Sequence, residues 1–162
     1  MNNDNPVLNN GDLIAWRRLI NPTKSNFYLN LVRWATLSEF GHVSIVWNRY
    51  GQPGHVEATQ PSIRNVILPL GEAYVIPMGL NLNDLQMEEF FSDKLGLKYS
   101  IRDALMGYVG MTPSEEDRYQ CAELALDFYR HVGLDIQGAY TPSRLVRQVM
   151  QHTGKSMFYL KG

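Results

Sequence analysis

The sequence predicts an α+β fold, with a small antiparallel sheet or partial barrel packed against helices and a cysteine at a helix N-terminus. Three observations carry that expectation. Short apolar or alternating runs separated by glycine and proline fill much of the first half of the chain. Helix start signals cluster in the second half. The only cysteine of the 162 residues, Cys121, falls where an amphipathic pattern begins.

The segment 1–10 holds five asparagines and a proline and reads as an irregular N-terminal arm, a candidate contact for the domain itself or for an assembly partner. Gly11-Asp12 is a turn signal, and Leu13 to Trp16 is an apolar run of strand length. Asn21-Pro22 breaks the chain. From Ser25 to Leu37, Phe27, Leu31, Trp34 and Ala35 share a helical face with Ser25 as N-cap, although a long loop with one helical turn fits as well. The strand Phe40 to Trp47 alternates Val43, Ile45 and Trp47 against His42, Ser44 and Val46. Asn48 to Gly54 is a hairpin connection, and His55 to Thr59 returns as the antiparallel partner. Two further strands are expected at Asn65 to Leu68 and Ala73 to Pro77.

Asn83 is an N-cap for a helix running to Lys94, closed by Gly96. Ser100 with Asp103 marks a short helix over Ile101 to Tyr108. Thr112-Pro113 is another start signal. Two readings follow for Cys121. A helix begun at Pro113 would bury it two turns inside, as core. A helix begun near Cys121 would put the thiol where the helix N-terminus favours a thiolate. The second is preferred, because Glu115-Glu116-Asp117-Arg118 offers no apolar residue to a core stripe. Cys121, Leu124, Ala125, Phe128 and Val132 then line one face, and Gly133 ends the helix. Thr141-Pro142 opens a last helix with Leu145, Val146 and Val149 inward. Ser156 to Leu160 is a final edge strand. The residues 11–162 read as a single domain without internal repeats.

Composition limits the function. Fifteen basic and 16 acidic side chains leave a net charge of −1, without the basic surplus of a nonspecific nucleic-acid binder. One cysteine excludes an intrachain disulfide framework and a cysteine-based zinc site. No apolar run approaches the roughly 20 residues of a membrane span. The first residues show neither the basic nor the apolar region of a secretory signal. Synthesis in the cytoplasm is therefore expected, with delivery to the cell envelope, or packaging in a virion, by other means.

Among the four histidines, His131 and His152 lie near helix C-termini and read as structural or exposed. His55 stands beside a glycine-rich turn and is expected to be exposed. His42 opens an apolar strand, as a base or as a satisfied core histidine. Glu57 is the carboxylate most suited to a place inside the sheet. A zinc site of His42, His55 and Glu57 lacks any helical His-x-x-x-His pair, and neither a metal nor another cofactor is expected.

The segments Gly11-Asp12-Leu13-Ile14, Gly41-His42-Val43-Ser44-Ile45, Val56-Glu57-Ala58, Leu95-Gly96 with Tyr99-Ser100, and Gln120-Cys121-Ala122-Glu123-Leu124 occur in that order. In this succession, histidine strand first and cysteine helix last, the chain resembles the circularly permuted NlpC-type papain-fold hydrolases of the YiiX-like group, over roughly Gly11 to Val149. The resemblance implies Cys121 as nucleophile, His42 as base and Glu57 as the group orienting the imidazole, with His55 or Gln60 as alternatives for the third place. The Cys121 backbone N–H would serve the oxyanion, with Tyr119 or Tyr99 as candidates for a second donor. It also implies a cysteine peptidase or amidase acting through an acyl-enzyme on a peptide or peptidoglycan fragment. Small size and the lack of a visible signal suit a phage-encoded or virion-associated enzyme. Trp16, Trp34, Trp47 and Tyr50 are candidate cleft walls or core. Two other readings stand beside this one: a non-catalytic structural or binding subunit of an assembly, and a lipid acyltransferase or thioesterase.

Overall fold

The computed structural model describes residues 7–17, 39–67, 72–100, 118–138 and 140–160. The fold is α+β. Its centre is a six-stranded sheet in which every neighbouring pair is antiparallel. The strands are β1 (Leu13–Arg17), β2 (Phe40–Val46), β3 (Gly54–Ala58), β4 (Ile63–Ile67), β5 (Ala73–Ile76) and β8 (Phe158–Leu160), in the order β4-β3-β2-β1-β5-β8. A short parallel pair, β6 (Lys98–Tyr99) with β7 (Arg118–Tyr119), lies apart from it. Three helices are found among the described residues: α1 (Asp84–Phe91), α2 (Cys121–His131) and α3 (Pro142–Thr153). The expected helices at 25–37 and 101–108, and the start signal at Thr112-Pro113, lie outside the described residues.

The central strand β1 explains its own composition. It pairs with β2 along one edge and β5 along the other, and both of its faces are buried against apolar side chains, so the run Leu13-Ile14-Ala15 has no polar member. Leu13 and Ala15 join the main core, while Ile14 joins a smaller cluster with Val46, Ala73 and Val75 on the opposite face. The alternation read in β2 holds. Val43, Ile45 and Trp47 enter the main core, whereas Val46 belongs to the second cluster.

Gly11, at φ +88°, turns the chain into β1, a backbone conformation that favours glycine. A Cβ on Gly11 would stand 3.0 Å from Leu82 Cδ1. The buried Asp12 carboxylate then ties the turn down, accepting from the Asn9 N–H at 2.9 Å and the Met78 N–H at 2.8 Å. The arm is pinned where it is described. Asn48 donates its backbone N–H to Asn10 Oδ1 at 2.7 Å and its side-chain N–H to the Leu8 carbonyl at 2.8 Å.

Helix α1 begins as its cap predicts: the Asn83 side chain accepts from the Gln86 N–H, and the Gln86 side chain accepts from the Asn83 N–H. It ends earlier than expected, at Phe91 rather than Lys94. Residues 92–96 form turns, and Gly96, at φ +91°, closes that turn and not the helix. Phe91 stacks between Trp47 and Phe128, with ring centroids at 5.7 and 5.2 Å, and thereby joins α1, the end of β2 and α2 in one aromatic core.

Helix α2 begins at Cys121. Gln120 is its N-cap, with extended backbone (φ −99°, ψ 163°), and the two residues before it are paired with β6. Cys121, Leu124, Ala125 and Phe128 are buried along one face, and Val132 is the C-cap rather than a helical residue. Glu123 accepts from the Gln120 N–H at 3.3 Å, and the Gln120 amide donates to the Tyr140 carbonyl, fixing the residue before the cysteine. Helix α3 has Thr141 as its N-cap and Pro142 in its first turn, and ends at Gly154 in the left-handed region.

Candidate active site

The three candidate side chains come from three elements. Cys121 is the first residue of α2, His42 lies near the start of β2, and Glu57 is in β3. Pairing of β2 with β3 covers Ile45 with Val56 and Val46 with His55, whereas β3 stays paired with β4 through Ala58. Beyond Ile45 the two strands part, and the Val43 N–H at that opening favours a thiolate at Cys121.

His42 joins the other two residues. Its Nε2 lies 2.7 Å from Glu57 Oε2. The ring also interacts with the Cys121 thiol, and since Nε2 is engaged by the carboxylate, Nδ1 is the nitrogen left for sulfur. Trp16, opposite His42 in the β1–β2 register, packs its ring against the imidazole at 5.2 Å. The His42 side chain is 23% exposed, whereas Cys121 is buried.

The electrostatics follow from these contacts. Burial alone would lower the His42 pKa, but the hydrogen bonds to Cys121 and Glu57 and their charges outweigh it, raising it from 6.5 to about 9. Burial likewise opposes ionisation of Cys121. The His42 hydrogen bond and charge, with the backbone N–H groups of Val43 and Ala122, reverse that and hold the thiol below its usual range. Burial would raise Glu57, yet His42 and Arg64 bring it down to about 2. Together these shifts favour the charged form of all three groups, a thiolate beside an imidazolium backed by a carboxylate.

Several sequence expectations are resolved here. Glu57, not His55 or Gln60, bonds the imidazole. Gln60 is exposed in the turn after β3. His55 is buried, contrary to the expectation of an exposed strand end, because its ring packs on Trp16 at 5.4 Å and its strand lies inside the sheet. Burial pushes its pKa down to about 4, so it is neutral at physiological pH. His131 and His152 are exposed, as expected. Trp47 is core and Tyr50 is exposed, so of the described aromatics proposed as cleft walls only Trp16 touches the site; Trp34 lies outside the described residues. Tyr99 and Tyr119 face each other in the β6–β7 pair.

Sequence reasoning missed Arg64. It stands directly opposite Glu57 in β4, and both its Nε (2.9 Å) and an Nη (2.7 Å) donate to Glu57 Oε1. The signal was present: an acid and a base seven residues apart around a Gln60-Pro61 turn can meet across a hairpin.

No family model matches the chain, and no curated protein matches it. Among solved structures it is similar to the metalloprotein YiiX from Escherichia coli O157:H7, with a TM-score of 0.55 and 16% identity over 93% of this chain and 87% of that one. The two share a fold. Among the described residues no group of three His, Cys, Asp or Glu side chains is arranged to hold an ion. Both Glu57 oxygens and His42 Nε2 are engaged, and a guanidinium already supplies the local cation. The donor set does not fit a metal at this site. No described helix is long and apolar enough to cross a membrane.

A pH dependence of stability follows. His42, raised, contributes fully below 6.5 and loses that as pH climbs to about 9; Cys121, lowered, contributes above its ordinary 9.0 and loses that as pH falls. Below about 9 the two slopes oppose each other, His42 losing stabilisation as pH rises and Cys121 gaining it. Below 6.5 the neutral, buried His55 loses stability as pH falls to about 4. Below 4.5 Glu57 does the same down to about 2, in total by about 3 kcal/mol. Urea midpoints are expected to fall on the acid side, first as His55 and then as Glu57 takes up a proton. Glu57→Gln should remove the lowest part of that fall. A midpoint that holds level or rises as pH falls from 6.5 to about 3 would contradict these assignments.

Proposed function

We propose that the chain is a cysteine hydrolase, a peptidase or amidase with a permuted papain-like arrangement of nucleophile, base and orienting acid. The observation that carries the reading is His42, which engages the thiol at the first residue of α2 through one nitrogen and the Glu57 carboxylate through the other. A buried cysteine kept only for packing has no use for an imidazole backed by a carboxylate.

The Cys121 thiolate attacks the carbonyl carbon of a bound amide. Negative charge moves to the carbonyl oxygen, where the N–H of Cys121 at the helix start is the natural donor. Collapse breaks the C–N bond as His42 gives its Nδ1 proton to the leaving amine, and a thioester remains. Water then adds to the thioester. His42 takes the water proton, the C–S bond breaks, and the acid leaves with the thiolate–imidazolium pair restored. Glu57 holds the ring so that Nδ1 faces sulfur and supports its charge.

Peptidoglycan stem peptides are the proposed substrate class, with an origin in a phage or virion as the setting that suits a small hydrolase. The test is digestion of purified sacculi and of synthetic peptide amides, read by mass spectrometry. Wild type is expected to release new amine and carboxyl ends, and Cys121→Ala to release none. A thioester or phospholipid probe run in parallel separates the rival chemistry: an acyl group captured on Cys121 from those probes alone would favour an acyltransferase or thioesterase. No product and no adduct from any probe would leave the structural or binding subunit standing.

A further inference from the structure

Resting on that reading of the site, we infer that Arg64 is a positioning residue, which acts on the imidazole through Glu57. The carboxylate of Glu57 is divided between two partners. Oε1 accepts from Nε and an Nη of Arg64, at 2.9 and 2.7 Å, and Oε2 meets His42 Nε2 at 2.7 Å. The terminal torsion of a glutamate is broad and sets no preferred plane by itself. Two donors on one oxygen define that plane, and the other oxygen is then held toward the histidine. The register makes this a built feature, because Arg64 and Glu57 are direct cross-strand partners.

Arg64 also answers a problem of the reaction cycle. Glu57 is only 8% exposed, and a buried carboxylate needs a partner for its charge. His42 is a cation at rest but neutral once its proton has gone to the leaving group. Without Arg64 the carboxylate would stand unpaired at that stage, and would tend to take a proton or turn away. With Arg64 it remains ionised and oriented while the imidazole cycles. The Arg64 side chain is 55% exposed, so removing its charge does not itself open a core cavity.

The alternatives differ in sign. If Arg64 acted only as a nearby cation, it would disfavour the imidazolium, and removing it would strengthen the ion pair. If it positions Glu57, removing it weakens the pair. The experiment measures the rate of Cys121 alkylation by iodoacetamide against pH, for wild type, His42→Ala, Arg64→Met, Arg64→Lys, Glu57→Gln and the Glu57→Gln/Arg64→Met double variant, with far-ultraviolet circular dichroism on each. Arg64→Met is expected to slow alkylation near pH 6 by about fivefold or more, with Arg64→Lys recovering most of the loss. In the Glu57→Gln background Arg64→Met is expected to add almost nothing, since its route is already cut. An unchanged or faster rate in Arg64→Met overturns the inference, as does an equal slowing in the Glu57→Gln background. Arg64→Gln, read in the same way, replaces Arg64→Met if the methionine variant loses its helical signal. Failure of the catalytic reading looks different: wild type would then alkylate no faster than His42→Ala, and the positioning role would fall with it.

Discussion

His42→Ala is expected to slow alkylation of Cys121 by at least about tenfold near pH 6, with the two rates converging only in strongly alkaline solution. The interactions that most favour the thiolate are the hydrogen bond and the charge of His42. Without them the Val43 and Ala122 N–H groups remain, but burial, the largest single effect on the sulfur, opposes the anion. The thiol of the variant should therefore ionise at higher pH than that of wild type, leaving less thiolate near pH 6. The rate falls by less than the thiolate fraction does, because a more basic thiolate is also a better nucleophile. Intact-mass spectrometry follows the adduct directly, since Cys121 is the only thiol. A variant that alkylates as fast as wild type would show that His42 does not activate the sulfur.

Phe128→Ala is expected to cost about 4 kcal/mol of stability, measured by urea unfolding. Phe128 is fully buried on α2 and meets Phe90, Phe91 and Tyr129 at centroid distances of 5.4, 5.2 and 5.4 Å. Through Phe91 it also connects to Trp47 beyond β2. Truncation leaves a void where a helix meets both another helix and the sheet, so little can move in to fill it. A loss of that size is a large part of the about 5–15 kcal/mol that holds a typical domain folded. The consequence reaches the site, because α2 carries Cys121 at its first residue. Leu85→Ala is the control. Leu85 is 74% exposed on α1, and its truncation should change the midpoint by less than about 0.5 kcal/mol. Similar losses in both variants would mean that the aromatic core does not hold α2 in place.

Much of this fold was legible from local chemistry. The alternation around Val43, Ile45 and Trp47 forecast which face of β2 enters the core. The Asn83 and Thr141-Pro142 signals placed the starts of α1 and α3. The absence of an apolar stripe in 115–118 argued that α2 begins late, and it begins at Cys121. The end of α1 was misjudged, because Gly96 looks like a helix terminator whether it closes the helix or a turn a few residues later. His55 was misjudged for a related reason. A histidine next to a glycine-rich turn reads as exposed, but β3 is covered by strands on both sides and Trp16 lies over its ring.

By itself the sequence determined much of the order of the elements and favoured a helix start at the cysteine, and a family resemblance singled out His42, Glu57 and Cys121 as candidate reactive side chains. The first two depend on periodicity and capping, which act over a few residues. Tertiary structure decided what those side chains are to one another. It chose Glu57 over His55 and Gln60, assigned Nε2 to the carboxylate and Nδ1 to the sulfur, and brought Arg64 to the other carboxylate oxygen. The physical reason is strand register. Moving β3 by one residue would send Glu57 to the opposite face of the sheet, and moving β4 by one would do the same to Arg64. Register is set by the turns, the core and the pairing acting together, and no short stretch of sequence contains it.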